Sequence, residues 1–171
     1  MEAIPGIEVR PAAKEELGLV RELAQKIFPV TYENIVEDGQ VDYMMTLFYT
    51  PEALVSQLES GQIFLIIYYE KKPAGFASYT CINADKDFKL NKLYLDYGLQ
   101  GKGLGKCLLR DVISRVKTAG GRSLRLNVNR HNKAVGFYKN MGFSVLKEEL
   151  LDIGGGHYMD DYVMELNLIQ P

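Results

Sequence analysis

Gln100-Gly101-Lys102-Gly103-Leu104-Gly105-Lys106 is the stretch that decides how this chain is read. It follows an alternating run, Phe88 to Leu95. It precedes a segment in which Leu104, Cys107, Leu108, Val112, Ile113 and Val116 recur at helical spacing, up to Gly120-Gly121. A glycine-rich turn between a strand and a helix is a place where backbone N–H groups and the helix dipole can hold a phosphate. Glycine lets the backbone approach the anion with no Cβ in between. Two common phosphate-binding patterns fail here. A P-loop counted back from Gly105-Lys106 would begin at Gln100 instead of a glycine, and Cys107 stands where a hydroxyl is required. The dinucleotide pattern Gly-x-Gly-x-x-Gly needs a glycine at Lys106 if started at Gly101, or at Leu108 if started at Gly103.

Working outward, the strand before the loop ends an antiparallel meander. Ile63 to Glu70 is rich in β-formers, Lys71-Lys72-Pro73 turns it, and Ala74 to Ile82 returns. Asn83 to Asp87 is a second turn, leading into Phe88 to Leu95. Simple alternation puts Phe88, Leu90, Lys92 and Tyr94 on one face of that strand and Lys89, Asn91, Leu93 and Leu95 on the other. Downstream come a strand (Ser123 to Asn129), a short helix (Lys133 to Met141) closed by Gly142, and two strands joined at Gly154-Gly155-Gly156. Upstream, Ile7 to Arg10 reads as a strand and Lys14 to Phe28 as a helix stopped by Pro29. Thr31 to Tyr49 is mixed, with a second helix. Thr50 caps a third helix that has Pro51 at its first position and ends at Gly61. Strands running into a strand–helix–strand unit predict an α/β fold, a mixed and mostly antiparallel twisted sheet flanked by helices. Cys81 and Cys107 both read as interior positions.

Bulk composition narrows the function. With 171 residues, and roughly 150 per domain, a single domain over 1–171 is expected. Hydrophobic residues at 47% and charged residues at 25% are the balance of an ordinary globular protein. A net charge of −2 argues against a nucleic-acid partner, which usually needs a basic face. The two cysteines are too far apart for a disulfide scaffold or a zinc ribbon, and the two histidines are too few for most imidazole metal sites. No signal peptide or membrane span is apparent, so a reducing, cytoplasmic location and no membrane partner are expected.

A third pattern, Gln/Arg-x-x-Gly-x-Gly/Ala, fits at Gln100, Gly103 and Gly105. Through it the chain resembles the GCN5-related N-acetyltransferases, whose equivalent loop wraps the pyrophosphate of acetyl-coenzyme A. Two further stretches carry the resemblance. Asn132, Ala134, Phe137-Tyr138 and Gly142-Phe143 are similar to the family's second signature, and Leu93-Tyr94-Leu95 occupies the place of its bulged, splayed strand. The resemblance covers residues 63 to 150 well, and the first 60 residues in element order only. It implies acetyl-CoA as cosubstrate, held by Leu93, Tyr94 and Leu95, by Gln100, Gly101, Lys102, Gly103, Leu104, Gly105 and Lys106, and by Asn132 and Tyr138. The backbone of Leu95 would also polarise the acetyl carbonyl. Tyr138 would protonate the departing thiolate.

An ammonium must lose a proton before it can attack a thioester, so a base or water chain is required. The strand Phe88 to Leu95 offers no acid, which leaves Glu33 as the candidate for the base. The acceptor side is expected after the first helix, at Phe28, Thr31, Tyr32 and Glu33; Phe28, Thr31 and Tyr32, and Asp160-Asp161-Tyr162-Val163-Met164 near the end, resemble the bacterial spermidine/spermine acetyltransferase branch. Glu33, Glu37, Asp38 and Asp42, joined by Asp160 or Asp161, would suit a cationic polyamine. The reading is therefore transfer of acetyl to a small-molecule amine, with a homodimer compatible with it. Its alternatives are a protein or peptide N-acetyltransferase and a non-catalytic acyl-CoA sensor.

Overall fold

The computed structural model describes residues 4–169. A single seven-stranded sheet has the order β1-β2-β3-β4-β5-β7-β6. Its strands are β1 (Ile7–Pro11), β2 (Ile63–Tyr69), β3 (Lys72–Cys81), β4 (Asp87–Leu95), β5 (Ser123–Asn129), β6 (Ser144–Gly154) and β7 (His157–Asn167). Every pairing is antiparallel except β4 with β5. That one parallel pair needs a crossover, and α4 (Leu104–Thr118) supplies it. The expected mixed, mostly antiparallel sheet flanked by helices is what the chain forms.

Both faces of the sheet are covered. On one, the apolar stripe Leu104, Leu108, Leu109, Val112 and Val116 of α4 packs with Leu65, Ile67, Leu124 and Leu126. The short helix α5 (Ala134–Asn140) adds Tyr138 to that core. On the other, α1 (Leu17–Thr31), α2 (Gln40–Phe48) and α3 (Pro51–Glu59) pack their apolar sides on Phe64, Ile66, Tyr68 and Phe76. Each of the fully buried Leu, Ile, Val and Phe side chains among these contributes about 1.5–3 kcal/mol of transfer free energy. β2 therefore has to be apolar on both sides, which explains its unbroken run Phe64-Leu65-Ile66-Ile67.

Two local expectations are corrected, on Pro29 and Cys81, and the mixed segment between them is as expected. Pro29 does not stop the first helix; α1 runs through it to Thr31. The missing N–H costs one bond, to the carbonyl of Gln25, and that residue is exposed to water. Between α1 and α2 the chain makes turns, and Gly39, with φ of 81°, opens α2. Cys81 is exposed at the end of β3, its thiol 3.3 Å from the carbonyl of Asn83.

The third correction shapes the site. The β3–β4 register pairs Ser78 with Lys92 but Tyr79 with Leu90, leaving Asn91 as an extra residue in β4. A bulge of this kind inverts the alternation beyond it. Phe88 and Leu90 pack on the α4 side, and so do Leu93 and Leu95. Lys92 lies over the ring of Tyr49, and Tyr94 packs among the α1–α3 residues. The four residues expected on one face of β4 are thus split between two.

Candidate active site

β4 and β5 pair only from Asp87–Leu90 to Ser123–Leu126. Beyond the bulge they part, while β5 stays paired to β7 as far as Asn129. The N–H of Asp96 donates to the carbonyl of Ala74 on the β3 side at 2.8 Å. Strand alternation then turns the N–H groups of Leu93 and Leu95 the other way, into the gap. On its other edge β4 approaches β3 closely at Gly75, where any Cβ would meet the carbonyl oxygen of Tyr94 and the side chain of Leu95.

The gap is the middle of a cleft of about 1440 Å³ that runs through the sheet from the α4 side to the α1 side. Its α4 end is the glycine loop. Gly101 and Gly103 have φ of 82° and 77°, and Gly103 is the residue that caps α4. Left-handed backbone at both positions aims successive N–H groups at one concavity, over the positive end of a fifteen-residue helix. Lys106 and Arg110, one turn apart on α4, line the same end. These are the features a diphosphate requires.

Of the residues expected to hold a cosubstrate, Leu93, Tyr94, Leu95, Gln100, Gly101, Gly103, Leu104, Gly105, Lys106, Asn132 and Tyr138 all line this cleft. Lys102 does not; its ammonium sits 5.3 Å from the centre of the Tyr69 ring. Asn132 has a local duty as well, accepting from the N–H of Ala134 at the head of α5 at 2.9 Å. Tyr138 is only 6% exposed, wedged between Phe137 and Phe143. No group among the described residues hydrogen-bonds its hydroxyl, and burial holds that hydroxyl well above the ordinary tyrosine range, so it stays protonated at neutral pH. Cys107 is half-buried, and burial likewise pushes its thiol up, away from the thiolate a nucleophile needs.

The α1 end of the cleft differs from expectation. Phe28, Thr31 and Tyr32 line it, and the Tyr32 and Tyr94 hydroxyls are hydrogen-bonded to each other at 2.9 Å. Glu33 is exposed and outside it, and so are Glu37, Asp38 and Asp42. The charges that do line this end were not singled out for it in the sequence, Asp161 excepted. Lys92 is 8% exposed, with its ammonium 5.0 Å from the centre of the Tyr49 ring; burial, helped by Lys89, lowers its pKa to about 8. Asp161 is 3% exposed and stands on β7 opposite Asn129. The bulge hid Lys92, since a period-2 reading gives no sign of it. Asn127 and Asp161 face the cleft only because β7 pairs with β5, a long-range fact without a local signal.

The comparisons with known proteins agree with this geometry. Residues 33–157 match the family model described as an acetyltransferase (GNAT) domain. The chain is 32% identical over 123 residues to a peptidyl-lysine N-acetyltransferase of Salmonella typhimurium, covering 70% of this chain and 73% of that protein. It is 31% identical over 147 residues to a spermidine N(1)-acetyltransferase of Thermoplasma acidophilum, covering 81% and 89%. Among solved structures it is similar to the PaiA N-acetyltransferase of Thermoplasma acidophilum in complex with coenzyme A, with a TM-score of 0.78 and 26% identity over 94% of this chain and 98% of that one. With a splayed β4–β5 pair, a glycine loop at the head of α4 and a family model spanning most of its length, the chain belongs to the GNAT family and is an acetyl-CoA-dependent N-acetyltransferase.

Proposed function

We propose that this chain moves the acetyl group of acetyl-CoA onto the primary amine of a small molecule, a polyamine being the acceptor class, by direct attack of the neutral amine on the thioester. The observation that carries the reading is the Tyr138 side chain, buried, held protonated by that burial and without a hydrogen-bond partner among the described residues, in the same cleft as the opened edge of β4. The Gly101–Lys106 backbone holds the pyrophosphate, and the Leu93 and Leu95 backbone groups pair with the pantetheine arm as a strand would. The Leu95 N–H polarises the acetyl carbonyl and steadies the oxyanion of the tetrahedral intermediate. On collapse, the Tyr138 hydroxyl protonates the departing thiolate, which is a poor leaving group in an apolar site unless it is neutralised.

A carboxylate at the α1 end supports an amine acceptor, and the spermidine acetyltransferase relative supports a polyamine. Lysine acetylation in a protein is the second reading, favoured by the peptidyl-lysine acetyltransferase relative. A cytoplasmic location goes with either, since Cys81 is an exposed free thiol of the kind kept reduced there. Thiol release from acetyl-CoA is to be measured against polyamines, amino acids, aminoglycosides and lysine peptides. Fastest turnover with a polyamine is expected. Preference for a lysine peptide replaces the acceptor class, and binding of acetyl-CoA without thiol release from any amine makes the domain a sensor.

A further inference from the structure

A proton acceptor for the incoming ammonium is missing from β4, where no acid faces the gap beyond Asp87. Across the gap, on β7, one carboxylate does. Asp161 lines the cleft together with Tyr32, Tyr94 and Tyr138. Its Oδ2 receives the Asn127 Nδ2 at 3.4 Å, and the same nitrogen is 2.7 Å from Glu149 Oε2 and so is largely engaged there. Its Oδ1 is buried and has no hydrogen-bond partner among the described residues. A buried carboxylate oxygen left bare is costly, and it must take either a proton or a donor from a bound molecule.

We propose that Asp161 is the catalytic base of the reaction: its free Oδ1 receives the ammonium of the acceptor and takes one proton from it. The inference rests on the acetyl-transfer reading above. Proton and electron counts then close. R–NH3⁺ gives one proton to the Asp161 carboxylate, and the freed lone pair forms the N–C bond to the thioester carbonyl carbon. The C–S bond breaks as the intermediate collapses. The sulfur takes the Tyr138 proton, and Tyr138 is refilled by the second proton lost from nitrogen. The proton on Asp161 leaves to water, so the sum is amine acetylation with release of one proton and coenzyme A thiol.

The surroundings tune Asp161 for this task. Burial raises its pKa to about 6; the Asn127 hydrogen bond opposes that, Glu149 and Asp160 add to it, and Lys89 of β4 opposes it. The remaining titratable groups lining this part of the cleft are Lys92 of β4, whose pKa burial lowers to about 8, and the Tyr32, Tyr49, Tyr94 and Tyr138 hydroxyls, all of which burial holds protonated. A base of this kind is ionised at neutral pH, yet basic enough to accept a proton from an ammonium drawn into a dry cleft.

The test is the pH profile of kcat/KM in thiol release with spermidine, or with whichever amine of the panel is fastest, for the wild type and for Asp161→Asn. In the wild type, kcat/KM is expected to fall below about pH 6 and to lie level from there to about pH 8, where Lys92 begins to lose its charge, because Asp161 and not solvent deprotonates the ammonium. Asp161→Asn is expected to lose the acid limb and at least ~10²-fold in kcat/KM, the scale of acid–base catalysis, with acetyl-CoA affinity unchanged. Asp161→Glu, which keeps a carboxylate, should retain an acid limb and recover part of the rate. A wild-type profile that climbs steadily toward the pKa of the free amine, about 10, overturns the inference whatever the variants do. So does an Asp161→Asn protein with the wild-type profile. A wild type that binds acetyl-CoA and acetylates no amine overturns the underlying reading and this inference with it. Turnover that ignores Asp161 overturns the inference alone.

Discussion

At the α4 end of the cleft the chemistry is carried by backbone: consecutive N–H groups of Gly101 to Lys106, aimed by two left-handed glycines and backed by one helix dipole. At the α1 end it is carried by side chains that arrive from separate elements, Tyr32 after α1, Lys92 and Tyr94 from β4, Asn127 from β5 and Asp161 from β7. On the proposed reading the first end recognises a fixed group, a diphosphate, and needs only one short segment folded in one way. The second must match an acceptor, and its residues are brought together solely by strand order and register. One end therefore depends most on its glycines, with Lys106 and Arg110 adding charge, and the other can be rebuilt one residue at a time.

The sharpest test of that contrast is Gly103→Leu. Space is not what forbids it, since among the described residues a Cβ there meets Ile4 alone, at 3.8 Å. The obstacle is φ of 77°, which costs a non-glycine residue about 1–2 kcal/mol and is relieved by moving the peptide. Moving it turns N–H groups away from the anion. Losing two charge-assisted hydrogen bonds of ~1.5–3 kcal/mol each weakens binding by at least ~10²-fold. Calorimetric titration with acetyl-CoA should show that loss with little change in melting temperature; unaltered affinity would mean the loop does not grip the pyrophosphate. Next in size is Tyr138→Phe. The ring still packs between Phe137 and Phe143, so fold and acetyl-CoA affinity should hold. Turnover should drop by about 10²-fold as the proton donor is removed. Unchanged kcat would reject Tyr138 as the acid.

The same contrast explains what could be read from the residues alone. The loop, the Asn132–Phe143 stretch and the meander were legible because each is a contiguous pattern with a local cause: glycine conformation, helical spacing, period-2 alternation. The strand types and the helices α3 and α4 came through for that reason. At the acceptor end the nearest acids in sequence, Glu33, Glu37, Asp38 and Asp42, were read as a cluster, and the fold turns them outside the cleft. Lys92 was put on the wrong face because one extra residue, Asn91, shifts the alternation. Asp161 could be grouped only loosely with those acids, because its placement depends on β7 inserting between β5 and β6.

Lys92 offers a smaller test, made on stability instead of rate. Its pKa is lowered to about 8 by burial, against an unfolded value of 10.5. Below about pH 8 the folded protein bears the whole cost of an enclosed ammonium, up to roughly 3 kcal/mol. The faces of Tyr49 and Phe64 return some of that. As pH rises from about 8 to 10.5 the unfolded chain still holds a proton that the folded one has released, so stability climbs through that window. Lys92→Met should therefore be more stable than the wild type by about 2 kcal/mol near neutral pH, with the difference closing by pH 10.5. Urea unfolding at several pH values reads this directly. A difference that stays constant with pH would show that the ammonium carries no such cost.

The smallest effect is the one the sequence alone would have made large. Glu33 follows Tyr32 by one position, yet it is exposed and does not line the cleft. A carboxylate there is screened by water and salt, so its pull on a cationic acceptor within the cleft is slight. Glu33→Gln should change neither kcat nor the acceptor KM by more than about twofold, the span of a typical surface substitution. Steady-state rates with spermidine at low and at physiological ionic strength give the check. A rise in KM well above twofold that fades with added salt would mean the acceptor extends out of the cleft past α1, and that recognition includes the outer acids as well as Asp161.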